Sequence, residues 1–522
     1  MNYETIQCHG EGLTLPREFA ERMREMLGED FPAFCNAYAK DIHPSLRVNT
    51  LKLTAEELCR TAPFVGSKIP WQEKGFYYSA DGDVRPGKHP LHEAGAYYIQ
   101  EASAMLPASL CPPVPGERVL DLCAAPGGKA TQLAAALCGE GLLVANEIHP
   151  TRAGILSQNM ERMGVRNAVV TNATPAELSK KFPAFFDKIV VDAPCSGEGM
   201  FRKEADAVTM WSPENVSLCA ARQAEILDEA AKMLRAGGCL TYSTCTFVPA
   251  ENEGAVLDFL SRHPEFEVVP SAAPAVVESR EKGLLDGGVS VWVRAYDQYP
   301  TELLAQVKHA YRVFPHHCDG EGHFAVLLRK GGDESPCGFE SHHRSSAVHC
   351  LNDGGKKKNR KFEKPNGGKG KPASETVAMG LFEDFCREVM GGIPAWASET
   401  LPCLFGDKLY LAPKALCGDS DPAEAMKGIR VLRAGLCVGS IVGLDRGKGR
   451  FEPDHALALC AGAEIRSLDV DYDSAVAYLK GETLPCDLRG WHTVTYCGLA
   501  LGWGKASDGV MKNHYPKGLR WN

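Results

Sequence analysis

The sequence predicts an α/β protein organised around a doubly wound, mostly parallel sheet, and three observations predict it. Between about Gly116 and Lys330, short apolar runs alternate with helical segments, the pattern of a parallel sheet with helices on both faces. The composition, 44% hydrophobic and 24% charged, is that of a chain able to build a core, which excludes a fibrous or largely disordered protein. No stretch approaches the roughly 18 consecutive apolar residues of a membrane span, so no membrane partner is expected.

Taken in order, SLRVNTLK reads as a strand, and Thr54 with Glu57 three residues later forms a capping box that opens a helix. A softer break near Leu91 closes a small α+β domain over 1–92. Over 93–330, ERVLDL, GLLVANE, NAVVT, DKIVVD, GCLTYS and HFAVLLR read as strands. KATQLAAALCG, PTRAGILSQNMERMG and PENVSLCAARQAEILDEAAKMLRAGG read as the helices between them. Residues 331–376 are rich in Gly, Ser, His, Lys and Asn, and eight Lys or Arg fall between Lys356 and Lys371 against one Glu. This composition predicts a disordered basic linker, either a solubilising tether or an arm that rides on phosphates. GLFEDFCREVM then restarts an amphipathic helix in a mixed α/β domain over 377–463, and 464–522 is a last module of short strands. There is no internal repeat.

The net charge of -9 argues against a nucleic-acid partner on average, but local basic stretches decide more than the sum. Twenty cysteines run from Cys8 to Cys497 without one Cys-x-x-Cys pair. Neither His317–Cys318 nor His349–Cys350 has zinc-ligand spacing, so no metal site is expected. Most of these cysteines are expected to be small core residues. The start, MNYETIQCHGEGLTLP, lacks the basic and apolar pattern of a secretory signal, so a cytoplasmic protein is expected.

Four strand ends carry the chemistry. VLDLCAAPGGKATQL places a tight loop, Cys123, Ala124, Ala125, Pro126, Gly127, Gly128 and Lys129, after a strand ending at Asp121. It is neither GxGxxG nor a lysine-containing phosphate loop, which demotes dinucleotide oxidation and nucleotide hydrolysis. Glu147, at the next strand end, suits the hydroxyls of a ribose, so loop and acid together predict an adenosine-containing cofactor. FDKIVVDAPCSGEG brings Asp192 and Cys195 to the same edge, and GCLTYSTCTF brings Ser243, Thr244 and Cys245. Two thiols beside a cofactor pocket suggest covalent catalysis. The residues alone do not say which cysteine attacks, and Cys195 follows a proline as in DNA cytosine methyltransferases.

DLCAAPGGK, DAPCSGEG and YSTCTFVPAENE resemble the signatures of the Nop/Sun-type RNA cytosine-5 methyltransferases, the RsmB/RsmF group. The likeness extends to LRVNTLK, YYIQEASAML, RVFPHHCDGEGHFAVLL, RFEPDHALAL and GLALGWGKASDGVMKNHYPKGLR, nearly the whole chain apart from the linker. It implies a Rossmann-like class I methyltransferase domain, a small N-terminal α+β domain, and a C-terminal α+β region ending in a PUA-like RNA-binding module. The implied cofactor is S-adenosylmethionine, held by residues 123–129, by Glu147, and by Asp192 near the methyl donor. Relatives often carry Asp near the adenine amine where this chain has Asn172, whose amide offers both an acceptor and a donor.

The implied nucleophile is Cys245, whose addition to cytosine C6 turns C5 into a methyl acceptor. Asp192 would hold the N3 and N4 edge of the base, most usefully with a proton kept on the carboxyl. Cys195 would assist release. The implied substrate is small-subunit ribosomal RNA, with transfer RNA second and a non-catalytic assembly factor as the rival class; a monomer is expected. Lys505, Lys512, Lys517 and Arg520 among Trp503, Tyr515 and Trp521 suit RNA contact, and Arg202 and Lys203 are candidates to grip a phosphate.

Overall fold

The computed structural model describes residues 3–8, 11–79, 85–332, 373–443, 449–460, 462 and 464–521. The basic run of the expected linker lies outside the described residues. Five parallel strands make the spine of a ten-stranded sheet: β1 (Arg118–Asp121), β2 (Leu142–Asn146), β3 (Ala168–Asn172), β4 (Phe186–Asp192) and β5 (Leu234–Thr244). They lie side by side in the order β5, β4, β1, β2, β3. The spine is rich in Leu, Ile and Val because helices cover both faces; β2, LLVAN, is buried throughout. The helices α1 (Gly128–Ala136), α2 (Pro150–Arg162) and α3 (Pro213–Met233) supply part of that cover. The chain runs outward from β1 to β3, then returns to build β4 and β5 on the other side. Its reversal between β1 and β4 is the switch point where sheets of this kind open a ligand crevice. A sixth strand, β6 (His323–Lys330), pairs antiparallel with β5.

Two boundaries before the linker differ from the sequence reading. The long helix ends at Met233, not at the glycines, and LRAGG enters β5. Gly237, at φ +72°, takes up the left-handed turn there, and the register with β4 shifts between Phe186 and Lys188. The break near Leu91 falls inside a short helix, Pro90–Glu93. Strand Tyr97–Ile99 lies beyond it and pairs with Leu46–Val48, completing a four-stranded sheet with Val65–Ile69 and Gln72–Tyr78. In that N-terminal part the capping box is present: Thr54 Oγ1 accepts from the Glu57 N–H at 3.2 Å, and the Glu57 carboxylate accepts from the Thr54 N–H at 2.7 Å.

The N-terminal helices Arg17–Leu27 and Phe31–Tyr38 bury Phe19, Phe34 and Tyr38 against Phe201, Phe247 and Phe314. They thereby form the wall behind the loops that follow β4 and β5. The helix Ala373–Val389 begins inside the stretch assigned to the linker and leads into a four-stranded antiparallel sheet. From that half of the chain comes β7 (Arg430–Ala434), which pairs antiparallel with β3 and covers the edge of the central sheet. A five-stranded sheet closes the chain, tied to the N-terminal part by Ala94 in its apolar cluster and by a 3.2 Å hydrogen bond from Tyr515 to Glu93. Trp503 and Tyr515 are core residues here, with Trp503 Nε1 donating to the Asp454 carbonyl at 2.8 Å. They offer no face for a base to stack on, whereas Lys505, Lys512 and Lys517 are exposed.

Candidate active site

Parallel neighbours deliver the loops that follow them to one edge. Asp192 at the end of β4 stands opposite Ser243 in β5, so Cys195 and Cys245, a few residues further on, meet with their sulfurs 3.3 Å apart. Both are only partly buried. The two loops are locked together: Ser196 and Thr246 share a hydroxyl hydrogen bond of 2.8 Å. One Glu251 oxygen accepts from the Ser196 N–H at 3.0 Å and from Gln223 of α3 at 2.8 Å. The Gly199 N–H donates to the Cys245 carbonyl at 2.8 Å, and a side chain at Gly199 would meet the Gly322 carbonyl oxygen at 2.7 Å. Beneath them, Arg312 grips Glu253 bidentately at 2.7 and 2.5 Å in a buried pair. The neighbouring Cys245 thiol, then burial, push the Cys195 thiol well above its ordinary value.

Asp192 departs from expectation. Burial alone would raise its carboxyl, but Lys129 Nζ donates to it at 2.6 Å and His323 Nε2 lies 3.4 Å away. These charges hold Asp192 well below the usual carboxylate range. Ser243 Oγ donates to its other oxygen at 2.8 Å. The carboxyl is therefore ionised at neutral pH and carries no proton for a base; a proton at this edge must come from Lys129 or another donor. Lys129, expected among the cofactor-loop residues, is in this sense a partner of Asp192. His323, at the first position of β6, went unassigned in the sequence because a lone histidine beginning a strand carries no motif.

The loop 123–129 is a fixed cradle. The carbonyls of Ala125, Pro126, Gly127 and Gly128 accept from Arg152 (2.8 Å), Asn159 (2.8 Å), Thr131 (2.7 Å) and the buried Arg47 (3.2 Å). The Ala124 N–H donates to the Asn146 carbonyl at 2.8 Å. Burial pushes the Cys123 thiol up, which makes it a neutral wall. Asp121 is fully buried and neither of its oxygens has a hydrogen-bond partner. Burial raises its carboxyl to about 7. An unsatisfied buried carboxyl is costly, and an ammonium group entering the crevice relieves that cost. Glu147 is buried, with one oxygen taking the His149 N–H at 2.8 Å and the other 3.3 Å from Arg152, and each retains accepting capacity for a hydroxyl. Together these residues fit an adenosyl cofactor with an amino-acid end.

Two candidates are placed differently from the sequence reading. Asn172 spends both amide hydrogens on the carbonyls of Glu147 and Ile148, each at 2.8 Å, so it braces the turn after β2. Only its oxygen, 3.4 Å from Arg430 of β7, is left to meet an adenine amine. Arg202 is committed within the protein, to Glu321 at 2.8 Å and to the carbonyls of Ala37 and Gly320. Lys203 is exposed.

Four family models match successive stretches of the chain. The family model described as 16S rRNA methyltransferase RsmB/F matches residues 108–329, and the one described as the N-terminal domain of 16S rRNA methyltransferase RsmF matches 15–102. The RsmF rRNA methyltransferase first C-terminal domain matches 384–460, and the methyltransferase RsmF PUA domain matches 465–521. The ribosomal RNA small subunit methyltransferase F of Klebsiella pneumoniae (strain 342) is 32% identical over 97% of this chain and 96% of its own. That of Vibrio vulnificus (strain YJ016) is 30% identical over 97% of each. Among solved structures, a methyltransferase homolog protein from Pyrococcus horikoshii, 28% identical, superposes with a TM-score of 0.51 over 60% of this chain and 95% of its own.

Proposed function

The chain belongs to the RsmF family of small-subunit ribosomal RNA methyltransferases, and from that premise we propose that it methylates C5 of a cytosine in 16S ribosomal RNA through a transient bond from Cys245 to C6. The observation that carries this reading is the pair of sulfurs, 3.3 Å apart, at the edge that also holds Asp192. Cytosine C5 is a poor nucleophile. A thiolate added to C6 places enamine character on C5. S-adenosylmethionine, when bound, supplies an electrophilic methyl group. Cys245 forms the C6–S bond, and the ionised Asp192 accepts from the N4 amine of the base. Lys129 donates toward the edge where negative charge develops. The C5 proton then leaves to a base, the C6–S bond breaks with its electrons returning to sulfur, and the ring double bond reforms. Amine or oxygen methylation needs no thiol at all.

The cofactor's residues follow from the cradle: Asp121 for the ammonium, residues 123–129 along the methionine and sugar, Glu147 for the ribose hydroxyls, and the Asn172 oxygen at the adenine end. The division into an N-terminal part that runs through Ile99, a methyltransferase part to Lys330, a first C-terminal part from Ala373 and a last module over 464–522 belongs to this reading, the last module holding RNA through Lys505, Lys512 and Lys517. So do a monomeric state and a cytoplasmic setting. No helix among the described residues is long and apolar enough to cross a membrane.

The test is bisulfite sequencing of ribosomal and transfer RNA from cells with and without the gene. Loss of one small-subunit 5-methylcytosine is expected. Loss confined to transfer RNA would keep the chemistry and overturn the substrate, and no change would favour an assembly factor.

Cofactor affinity is also expected to depend on pH. Asp121, raised to about 7, is mostly protonated below that pH in the free protein and must release its proton to face an ammonium. S-adenosylmethionine binding therefore weakens as pH falls below about 7, by at most about tenfold per unit. Calorimetry from pH 7 to 5.5 in buffers of different ionisation enthalpy reads the released proton, and Asp121→Asn flattens the profile. An unchanged affinity across that range in the parent protein would remove Asp121 from the ammonium site.

A further inference from the structure

We propose that Asp30, His316 and His317 form a site for a divalent transition cation of the zinc class, with Asp286 as the carboxylate that orients His317. One ligand atom from each of the three lies within 4.8 Å of the others. Metal–ligand bonds of about 2.0–2.2 Å need a closer spacing than that, and the Asp30 side chain is exposed and so open to rotation toward the rings. His317 Nδ1 is 2.7 Å from Asp286 Oδ2, which fixes the proton on that nitrogen and leaves Nε2 as a lone pair for a metal. His316 Nδ1 is buried and has no hydrogen-bond partner, and the two imidazole rings stand 4.1 Å apart. A buried ring nitrogen is normally satisfied; a cation is the partner that this pair of rings and the Asp30 carboxylate share. Two imidazoles with one carboxylate select zinc-class ions over calcium or magnesium, which take oxygen shells. A surface cavity of about 700 Å³, lined by His316 and His317 with Lys40, Lys68, Tyr77 and Asp319, opens beside the two rings.

The sequence reading excluded a metal on cysteine spacing, and this cluster escapes that filter because its ligands come from two separate stretches of chain and the orienting carboxylate from a third. The turn Gly28–Asp30 belongs to the N-terminal helices, Asp286 to a short strand, and the histidines to the loop after Tyr311–Val313. Phe314, two residues before His316, stacks on Phe247 at 5.5 Å, and Phe247 lies two residues after Cys245. A bound ion thus ties the N-terminal helices to the Phe314–Phe247 stack beside the nucleophile loop. The site stands independently of the methyl-transfer reading.

The experiment strips the full-length protein with a chelator and titrates it with cobalt(II) alone, following visible absorption and thermal unfolding. One equivalent is expected, with d–d bands but no intense sulfur charge-transfer band, a raised Tm, and displacement by zinc. His316→Ala and His317→Ala lose the signal, and Asp286→Asn weakens it by about 10- to 100-fold. Should a histidine variant fail to fold, Asp30→Asn, at an exposed position, carries the same test. No saturable uptake overturns the site. So does uptake that survives in His316→Ala or Asp30→Asn, or a thiolate spectrum that vanishes in Cys195→Ser or Cys245→Ser.

Discussion

Cys245→Ala is expected to abolish methyl transfer, by a factor on the order of 10⁴ or more, while Cys195→Ala accumulates a covalent protein–RNA complex that carries the methyl group. The two sulfurs touch at 3.3 Å, yet the chemistry asks different things of them. The attacking sulfur must be a thiolate. The other, pushed well above its ordinary value by its neighbour and by burial, stays a thiol at neutral pH and donates its S–H to that thiolate. Addition to C6 is drawn forward by methyl transfer, which does not reverse. Elimination has no later step to draw it, so it depends on how well the departing sulfur is received, and Cys195 is the group placed to receive it. Denaturing gels with labelled RNA read the complex directly, and the double variant Cys195→Ala/Cys245→Ala removes it. A Cys195→Ala protein that turns over normally, or an adduct that persists in Cys245→Ala, would reverse or remove the assignment.

Why this pair was legible while its surroundings were not is a matter of range. Strands such as LLVAN and KIVVD declare themselves because both their faces are buried, and the loops that follow them inherit a known edge of the sheet. Asp121, Asp192, Cys195 and Cys245 are therefore placed by local pattern plus the rule of the fold. β7 is not: RVLRA pairs with β3 across about half of the chain, and nothing local in either strand names the other. Arg202 shows the same limit in electrostatics. Its charge is visible in sequence, but Glu321, which claims it, arrives from the loop before β6. The protonated Asp192 expected from burial failed for this reason too, because burial is a local expectation and Lys129 is a tertiary fact. Trp503 and Tyr515 look in sequence like stacking surfaces, and only the packing of the last sheet shows them to be core.

Lys129→Met isolates that tertiary fact. Methyl transfer is expected to fall by about 10²–10³, the cost of removing one well-placed donor from a charge-developing site, with the pH profile changed as well as the rate. In the parent protein Asp192 is depressed, so its contribution to stability is present above its unfolded pKa and is lost only as pH falls through the still lower folded value. Without Lys129, desolvation is opposed only by His323 and Ser243, and the carboxyl rises. A raised carboxyl contributes stability below its unfolded pKa and loses it as pH climbs through the folded one. The variant should therefore be less stable than the parent at pH 8, and its deficit shrinks as pH falls through the raised carboxyl but does not close at pH 5, where the parent's ion pair is still intact. The difference at pH 8 is about 2 kcal/mol, below the usual cost of orphaning a buried charge because the Asp192 side chain is 30% exposed. Adding Asp192→Asn removes the stranded charge, so Lys129→Met/Asp192→Asn should regain stability at pH 8 without regaining activity. Thermal unfolding at the two pH values, beside single-turnover methylation of the RNA, separates the outcomes. Equal destabilisation at pH 5 and pH 8 would mean that the carboxyl stays low without Lys129, held by His323 and Ser243. A double variant that recovered activity would show that the base needs neither group.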